Sequence, residues 1–279
     1  MIDRDEFVRD RMRRYWGTSF RDYAAYSAPQ TARLIDPLLS MVAPAPGEQV
    51  LDIATGPGGL AVRLAQAAGS AGSVVATDLA PEWEETVLAG AAAAGVRNLT
   101  FRAMGAESLD LPGESFDLVT CQLGLMFVPD RPRALGEMRR VLRPGGRLGL
   151  VVWSVADEVP FFETPRMVGA VFPPQAGDEF MPTPLALGEP GLIERLVAEA
   201  GFREVTSDRR VVDFVVADAE THWRHLIDRP DPRLRDALTA LSPSAFAALH
   251  DRVIDALDRY RDGEAIRFPN VAVFVRAVR

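Results

Sequence analysis

The stretch from Val50 to Gly59 reads V-L-D-I-A-T-G-P-G-G, an apolar run that carries an acid and enters a glycine-rich turn. The glycines have no Cβ, so the turn can adopt positive φ and lie close against a ligand. Residues 60–68 then continue with helical spacing, and Asp78 follows the next apolar run. The stretch therefore predicts the start of a βαβ unit, with Asp78 placed to accept hydrogen bonds from ribose hydroxyls.

The pattern G-x-G-x-x-A at residues 56–61 also suits a nicotinamide or flavin dinucleotide. Two neighbouring residues argue against that ligand. Asp52 would repel an anionic pyrophosphate, so its position before the turn suits a cationic ligand better. Pro57 lacks an N–H group, so the turn offers one donor fewer to a phosphate. The dinucleotide remains the less favoured alternative.

Three further motifs follow in order along the chain: G-A-E-S-L-D-L-P at 105–112, F-D-L-V-T-C at 116–121 and L-R-P-G-G-R-L at 142–148. Together with the glycine turn, they resemble the motifs of class I S-adenosylmethionine-dependent methyltransferases. The closest resemblance is to the group typified by the ubiquinone and menaquinone biosynthesis C-methyltransferases. Several motifs in the right order are far more specific than one glycine loop.

The resemblance implies that S-adenosyl-L-methionine is the cofactor and S-adenosyl-L-homocysteine the product. Asp52 would hold the ammonium group of the cofactor, and Asp78 would bind both ribose hydroxyls. The backbone N–H of Ala106 would donate to the adenine edge. The cofactor-binding residues that the resemblance implies are Asp52, Ala54, Thr55, Gly56, Gly58, Asp78, Leu79, Gly105, Ala106, Glu107, Gln122 and Leu123.

Two positions depart from the family pattern. Gly105 stands where an aspartate is common, so an acceptor for the adenine amino group is missing there. Trp83 stands where a smaller apolar residue is usual. Because aromatic side chains are more often core residues than cofactor contacts, we interpret Trp83 as a helix residue packed on the sheet.

From residue 49 to residue 153, apolar strands alternate with helical stretches. This rhythm, with the resemblance, predicts an α/β fold: a Rossmann-like, seven-stranded, doubly wound sheet with helices on both faces, an antiparallel last strand and helical caps. We expect an N-terminal helical lid at 1–45 and a cofactor-binding core at 46–155. Residues 156–279 would add a cap segment, the sixth and seventh strands and a helical insertion to the same domain.

Three regions outside the alternating core are candidates for an acceptor pocket: the aromatic N-terminal helix, residues 161–187, and the insertion that follows Val216. We expect cofactor contacts to come from the sheet and acceptor closure from these caps. The predicted pocket residues are Tyr15, Trp16, Tyr23 and Phe127. An aromatic stripe at helical spacing is, however, more often packing than a ligand contact.

The candidate general base is one of two histidines on the insertion. His222 and His225 lie three residues apart, so both can face one side of a helix. The competing interpretation is a helix residue with an ordinary hydrogen bond. We interpret His250, between other polar residues, as a surface residue.

Composition excludes several other classes of function. All 31 basic residues are arginine, which removes lysine Schiff bases and the P-loop lysine. A net charge of −8 with interspersed arginines argues against a nucleic-acid groove, and the runs at 9–14 and 139–140 are interpreted as solvated faces. Cys121, the single cysteine, is predicted to be a buried strand residue. No histidines and acids occur at a spacing typical of a metal site. No membrane-spanning segment is expected.

The sequence thus predicts a cytoplasmic bacterial enzyme, monomeric or homodimeric. It would methylate a small, largely apolar acceptor at carbon, oxygen or nitrogen, in natural-product or quinone biosynthesis. Two alternatives remain open. A protein of the same fold can use the cofactor for cyclisation or elimination, or can bind it without turnover.

Overall fold

The computed structural model describes residues 4–173, 175, 177–228 and 231–279. Within these residues the strands are β1 (Gln49–Ile53), β2 (Ser73–Asp78), β3 (Leu99–Ala103), β4 (Phe116–Gln122), β5 (Leu142–Trp153), β6 (Arg203–Val216), β7 (Arg261–Asp262) and β8 (Ala265–Val278). They form one mixed sheet in the order β3-β2-β1-β4-β5-β8-β6, with β7 paired to the start of β8.

This order confirms the predicted fold class. Strands β1 to β5 pair in parallel, whereas β8 runs antiparallel to both β5 and β6. The seven long strands are those predicted, and the two-residue strand β7 is the one that the sequence pattern did not indicate. It pairs Arg261 with Ile266 and is too short to show a periodicity of its own.

Strand β1 lies at the point where the order of the sheet reverses. Its neighbours are β2 on one side and β4 on the other, and Asp52 is opposite Ala76 and Thr120 in the two registers. Val50, Leu51 and Ile53 are fully buried, as expected for a strand covered on both faces. Because the chain leaves β1 and β4 in opposite directions, a crevice opens at their carboxyl ends.

The helices within the described residues are α1 (Arg4–Asp22), α2 (Ala28–Thr31), α3 (Ile35–Val42), α4 (Gly59–Ala68), α5 (Trp83–Ala93), α6 (Arg131–Val141), α7 (Glu163–Gly169), α8 (Leu192–Glu199), α9 (Ala219–Ile227), α10 (Pro232–Thr239) and α11 (Pro243–Asp258). A π-helical turn, Tyr23–Ser27, joins α1 to α2. None of these helices is long and apolar enough to cross a membrane.

In its described residues, the insertion between β6 and β8 contains three helices rather than one continuous helical stretch. Asp218, Asp231 and Ser242 cap the amino ends of α9, α10 and α11, each accepting a hydrogen bond from a backbone N–H of the first turn. Pro232 and Pro243 directly follow two of these caps. Proline suits the first helical position because the N–H group it lacks would have no partner there. The cap and proline at the start of α10 and of α11 therefore mark where each of these helices begins.

The interpretation of the arginine runs as solvated faces is wrong for several of their members. Arg140 donates to the carbonyl oxygens of Leu109 and Leu111, at 2.9 Å each. Arg9 and Arg11 form ion pairs with acids from distant parts of the chain. These arginines therefore connect the outer helices to the loop between β3 and β4 and to the segment after β5.

The backbones at the carboxyl ends of β1 and β4 approach each other closely at Gly124. A Cβ on Gly124 would overlap the Cβ of Ala54 and lie 3.0 Å from the Cys121 Sγ. Gly136 on α6 offers a matched control, since a Cβ there meets no atom within 4 Å.

We predict that Gly124→Ala lowers the free energy of unfolding by about 1 to 3 kcal/mol, because the added methyl group must displace the Ala54 loop. Gly136→Ala should be neutral or stabilising by up to about 1 kcal/mol, as for glycine in an exposed helix. Urea unfolding of both variants measures the difference. Equal unfolding midpoints for the two variants would show that the two strand ends are not closely packed.

Candidate active site

The loops that leave β1 and β4 both begin with a residue in the left-handed region. Ala54 has a φ of 54° and Leu123 a φ of 58°. A residue with a Cβ pays about 1 to 2 kcal/mol for this conformation, so surrounding contacts must hold it. Thr55 N donates to Thr77 O at 2.9 Å, and Leu123 N donates to Val151 O at 2.9 Å. Backbone strain of this kind clusters at ligand-binding sites.

Asp52 is buried at the end of β1 and fixed by two hydroxyl groups. Its Oδ2 accepts a hydrogen bond from Thr55 Oγ1 and its Oδ1 one from Thr120 Oγ1, both at 2.7 Å. Burial raises the pKa of this carboxyl to about 6, against the lowering effect of the two hydroxyls. The carboxylate thus ties the turn after β1 to β4 and still lines the cavity described below.

Asp78 ends β2 and takes up a similar position one strand away. Its Oδ2 accepts from the backbone N of Gly56 at 2.9 Å, and its Oδ1 from that of Ala80 at 3.0 Å. Burial is again the main cause of a pKa raised to about 6. Since each carboxylate oxygen can accept a second hydrogen bond, Asp78 retains capacity for ligand hydroxyls.

These residues line a cavity of about 380 Å³ at the carboxyl ends of the parallel strands, here termed the strand-end cavity. Eleven of the twelve residues predicted to bind the cofactor lie in its wall: Asp52, Ala54, Thr55, Gly56, Asp78, Leu79, Gly105, Ala106, Glu107, Gln122 and Leu123. Gly58 is the exception, because it faces α5. Its φ is 83°, and a Cβ there would lie 3.0 Å from the Val87 side chain.

The strand-end cavity is acidic and contains an unpaired acceptor. Its charged wall residues are three carboxylates, from Asp52, Asp78 and Glu107, and one guanidinium, from Arg9. Gln122 Nε2 donates to Thr31 O at 3.1 Å, whereas Gln122 Oε1 is buried with no hydrogen-bond partner among the described residues. A cationic ligand with N–H donors fits this surface, and a pyrophosphate does not.

Glu107 has a role that the sequence did not reveal. Its carboxylate accepts from Arg9 Nε at 3.0 Å and from the backbone N of Asp130 at 3.1 Å. The side chain therefore holds helix α1 against the loop that follows β4, and only part of it faces the cavity. Arg9 itself, with Met12 and Ala24, lines the strand-end cavity.

The expectation that the caps serve only the acceptor side is therefore wrong. Helix α1 and the π-helical turn contribute Trp16 and Tyr23 to the strand-end cavity as well. Trp83 is buried, as predicted, but it also lines this cavity and packs edge-on against Phe20 and Tyr23. An aromatic layer thus forms one wall of the strand-end cavity.

A second cavity of about 870 Å³, here termed the cap chamber, adjoins the first. It shares six wall residues with the strand-end cavity: Met12, Trp16, Tyr23, Thr31, Leu123 and Phe127. The four predicted pocket residues, Tyr15, Trp16, Tyr23 and Phe127, all line the chamber. Of its other aromatic residues, Phe161, Phe162 and Phe172 lie in the predicted region 161–187, whereas sequence reasoning missed Trp153 and Phe214.

All three predicted cap regions reach the cap chamber. Helix α1 contributes Tyr15, the segment after β5 contributes Phe161, and the insertion contributes His225 and Leu226. The chamber is thus enclosed by elements that are far apart in the chain. Its position beside Leu123 puts it in contact with the carboxyl end of β4.

The structure separates the two candidate bases. His222 is fully buried, between the Tyr26 hydroxyl on Nδ1 and Thr164 Oγ1 on Nε2, the latter at 2.7 Å. It lines neither the strand-end cavity nor the cap chamber, although both histidines contact Tyr26 and so share one side of α9, as expected. His225 lines the cap chamber. Its Nδ1 lies 3.5 Å from Asp22 Oδ1.

His225 also stacks on Tyr26, with ring centroids 3.4 Å apart. Its position in the chamber wall is thus fixed from two sides, by the Asp22 carboxylate and by this ring. His250 contacts Glu220 and Asp251 at 3.1 Å each, and these acids raise its pKa. In the part of the chain that the structure describes, no group of three or more His, Cys, Asp or Glu side chains is arranged to hold a metal ion.

Comparison with known proteins agrees with this geometry. Residues 50–146 match the family described as methyltransferase domain. With the sheet order and the acidic strand-end cavity, this match supports the predicted class I S-adenosylmethionine-dependent methyltransferase domain. The relatives named as methyltransferases support the same type of domain and the same cofactor.

The relatives in sequence include both uncharacterised and named proteins. An uncharacterised protein of Mycobacterium tuberculosis is 35% identical over 133 residues, which cover 48% of this chain and 47% of that protein. Nocamycin O-methyltransferase of Saccharothrix syringae is 31% identical, over 60% of this chain and 64% of that enzyme. The ubiquinone/menaquinone biosynthesis C-methyltransferase UbiE of Shewanella frigidimarina is 28% identical, over 60% of this chain and 71% of that enzyme. The chain thus spans about half the length of the mycobacterial relative.

Solved structures show the same fold. The YcgJ protein of Bacillus subtilis superposes with a TM-score of 0.58 at 20% identity, covering 88% of this chain and 97% of that one. The cyclase SpnF superposes with a TM-score of 0.53 at 19% identity, covering 89% and 80%. At these identities the likeness concerns the fold.

We predict that affinity for S-adenosylhomocysteine falls as the pH drops below 6. Asp52 and Asp78, with pKa values raised to about 6, take up protons in the ligand-free protein near that pH. Asp52 then loses the negative charge that would attract the ammonium group, and Asp78 loses acceptor capacity for the ribose hydroxyls. For each carboxylate that must be ionised for binding, the affinity should fall about tenfold for each pH unit below the pKa of that carboxylate.

Calorimetric titrations with S-adenosylhomocysteine between about pH 7.5 and pH 5 measure this dependence. Asp78→Asn keeps the shape of the side chain and should flatten part of the slope, leaving the contribution of Asp52. A dissociation constant that is the same at both ends of the range would contradict the assignment of the two carboxylates.

Proposed function

We propose that this protein transfers a methyl group from S-adenosylmethionine to a small, largely apolar acceptor bound in the cap chamber. The observation that carries the proposal is the shared wall of the two cavities. An acidic cavity suited to a cationic nucleoside opens beside an aromatic chamber, and Leu123 and Phe127 lie in both. Two reactants held in these cavities would meet at that wall.

The residues of the strand-end cavity would hold and orient the cofactor. Asp52 and Gln122 Oε1 offer acceptors for its ammonium group, and Asp78 offers acceptors for its ribose hydroxyls. The turn at Gly56, with a φ of 52°, brings backbone close to the methionyl portion without a side chain. When bound, the cofactor supplies an electrophilic methyl group. The protein's share of the rate comes from alignment and from excluding water.

Acceptors with a weakly acidic proton need a base at the chamber, and we propose His225 for this role. Of the histidines that the structure describes, His225 is the one that lines the chamber. Asp22 is placed to stabilise its protonated form. His222 is enclosed by Tyr26 and Thr164 and would support the position of Tyr26 instead. Methylation at oxygen or at an activated carbon would use His225, whereas an amine acceptor would not.

The named relatives support the class of acceptor. One is an O-methyltransferase for nocamycin and another a C-methyltransferase of quinone biosynthesis. Both names indicate small molecules rather than a nucleic acid or protein, and the dimensions and lining of the cap chamber agree with such an acceptor. We therefore propose a role in natural-product or quinone methylation.

The direct test is conversion of S-adenosylmethionine to S-adenosylhomocysteine in the presence of candidate phenols, quinols and amines. A methylated product in equal amount supports the proposal. Acceptor converted without consumption of the cofactor would instead support cyclisation or elimination. Tight cofactor binding with no conversion across the acceptor panel would support a binding protein.

With an accepted phenol or carbon acid, we predict that His225→Gln lowers kcat by about 10²- to 10⁴-fold, the usual effect of losing a general base. The rate of this variant should also lose the dependence on pH that a titrating histidine imposes. His250→Gln, on the exterior, is the matched control and should retain full activity. Equal activity and the same pH profile in both variants would remove His225 from the mechanism.

A further inference from the structure

One wall of the cap chamber carries a cluster of charges that methyl transfer does not require. Arg11 of α1 and Arg233 of α10 both donate to Asp178, which lies in the cap segment. Arg11 Nη2 is 2.7 Å from Oδ1, and Arg233 Nη2 is 3.0 Å from Oδ2. These contacts lower the pKa of Asp178 to about 2, so it remains ionised. Two guanidiniums therefore share one carboxylate.

The charge of the cap chamber is opposite to that of the strand-end cavity. Its wall contains three arginines, Arg11, Arg14 and Arg233, against two aspartates, Asp178 and Asp231. The chain as a whole has a net charge of −8, so a cavity in which cations outnumber anions is not an average sample of its surface. Just as the acidic strand-end cavity suits a cation, this surplus of positive charge in the cap chamber favours an anion.

Donor capacity remains in this cluster after its internal bonds are counted. Among the described residues Arg11 donates hydrogen bonds to Asp178 alone, although a guanidinium carries five N–H donors. The Nε of Arg233 is buried and has no hydrogen-bond partner within the described part of the chain. A buried donor without a partner costs free energy, which a ligand acceptor would recover.

Apolar surface lies next to these donors. The guanidinium of Arg233 lies over the Phe172 ring at 5.3 Å, and Phe172 lines the same chamber. Aromatic residues continue along the wall to Phe127 at the boundary with the strand-end cavity. The chamber thus combines a cationic region with an apolar path to the cofactor side.

We infer that the acceptor is an amphipathic anion, whose carboxylate or equivalent acidic group docks on Arg11 and Arg233 while its apolar body extends along the aromatic wall toward Phe127. This inference deepens the proposed function and rests on it. Guanidinium groups recognise planar carboxylates through paired hydrogen bonds, which neutral acceptors cannot reproduce. Arg11 and Arg233 are then residues that determine specificity rather than catalytic residues.

The test compares two probes of the same shape that differ in charge, 2-naphthoate and 2-naphthamide. Calorimetry is performed on the full chain saturated with S-adenosylhomocysteine. The naphthoate should bind at least about tenfold more tightly than the amide, the effect of one charge-assisted hydrogen bond. Equal affinities, or no naphthoate binding at all, would overturn the inference.

Variants then locate the preference. Arg11→Met and Arg233→Met should each reduce naphthoate affinity, and the double variant should lower it to the level of the amide, with amide affinity unchanged. Arg235→Met, an exposed arginine on the same helix α10, is the matched control. Asp178→Asn removes the competing carboxylate and should raise naphthoate affinity several-fold. A preference that survives in the double variant, or a loss of affinity in Asp178→Asn, would contradict the assignment.

Two readouts separate this inference from the proposed function. S-adenosylhomocysteine affinity should be the same in all variants, which shows that they remain folded. Turnover of neutral acceptors by a protein without a naphthoate preference would overturn this inference alone. A naphthoate preference in a protein that methylates no acceptor would overturn the proposed function alone.

Discussion

The buried carboxylate of Asp52 is the constraint on which the rest of the site depends. Its bonds to Thr55 and Thr120 join the turn after β1 to the neighbouring strand β4. They hold Ala54 in the left-handed conformation that directs the chain around the strand-end cavity. Placing an acid in this position is costly, and its pKa rises to about 6 because of burial. A cationic ligand offsets that cost, since it stabilises the ionised form. The negative charge of Asp52, which is costly to bury in the ligand-free protein, therefore favours a cationic ligand.

The caps form those walls of the two cavities that the sheet does not supply. Helix α1 is held over the strand-end cavity by the pair between Arg9 and Glu107, and it also forms one wall of the cap chamber. The same helix therefore borders both cavities. The opposite charge balance of the two cavities would keep each reactant on its own side of Leu123 and Phe127.

Sequence alone predicts those parts of the structure that depend on short-range pattern. The glycine turn and the acids at the ends of β1 and β2 follow from residues within one βαβ unit, and the sheet follows from the alternating rhythm together with the family resemblance. The pairing of Arg9 with Glu107 joins residues 98 positions apart, and no local pattern identifies such a partner. Helical spacing groups His222 with His225, but only tertiary packing shows that Tyr26 and Thr164 enclose the first. Chamber residues such as Phe214 were missed for the same reason, since an aromatic residue on a strand looks like core.

The most direct test of the account is a crystal structure of the protein with S-adenosylhomocysteine bound. We expect the ribose hydroxyls within hydrogen-bonding distance of Asp78, the ammonium group beside Asp52 and Gln122, and the sulfur facing the cap chamber near Leu123. A ligand whose sulfur faces away from the chamber, or one that binds outside the strand-end cavity, would contradict the central claim that the two cavities bring cofactor and acceptor together at this wall.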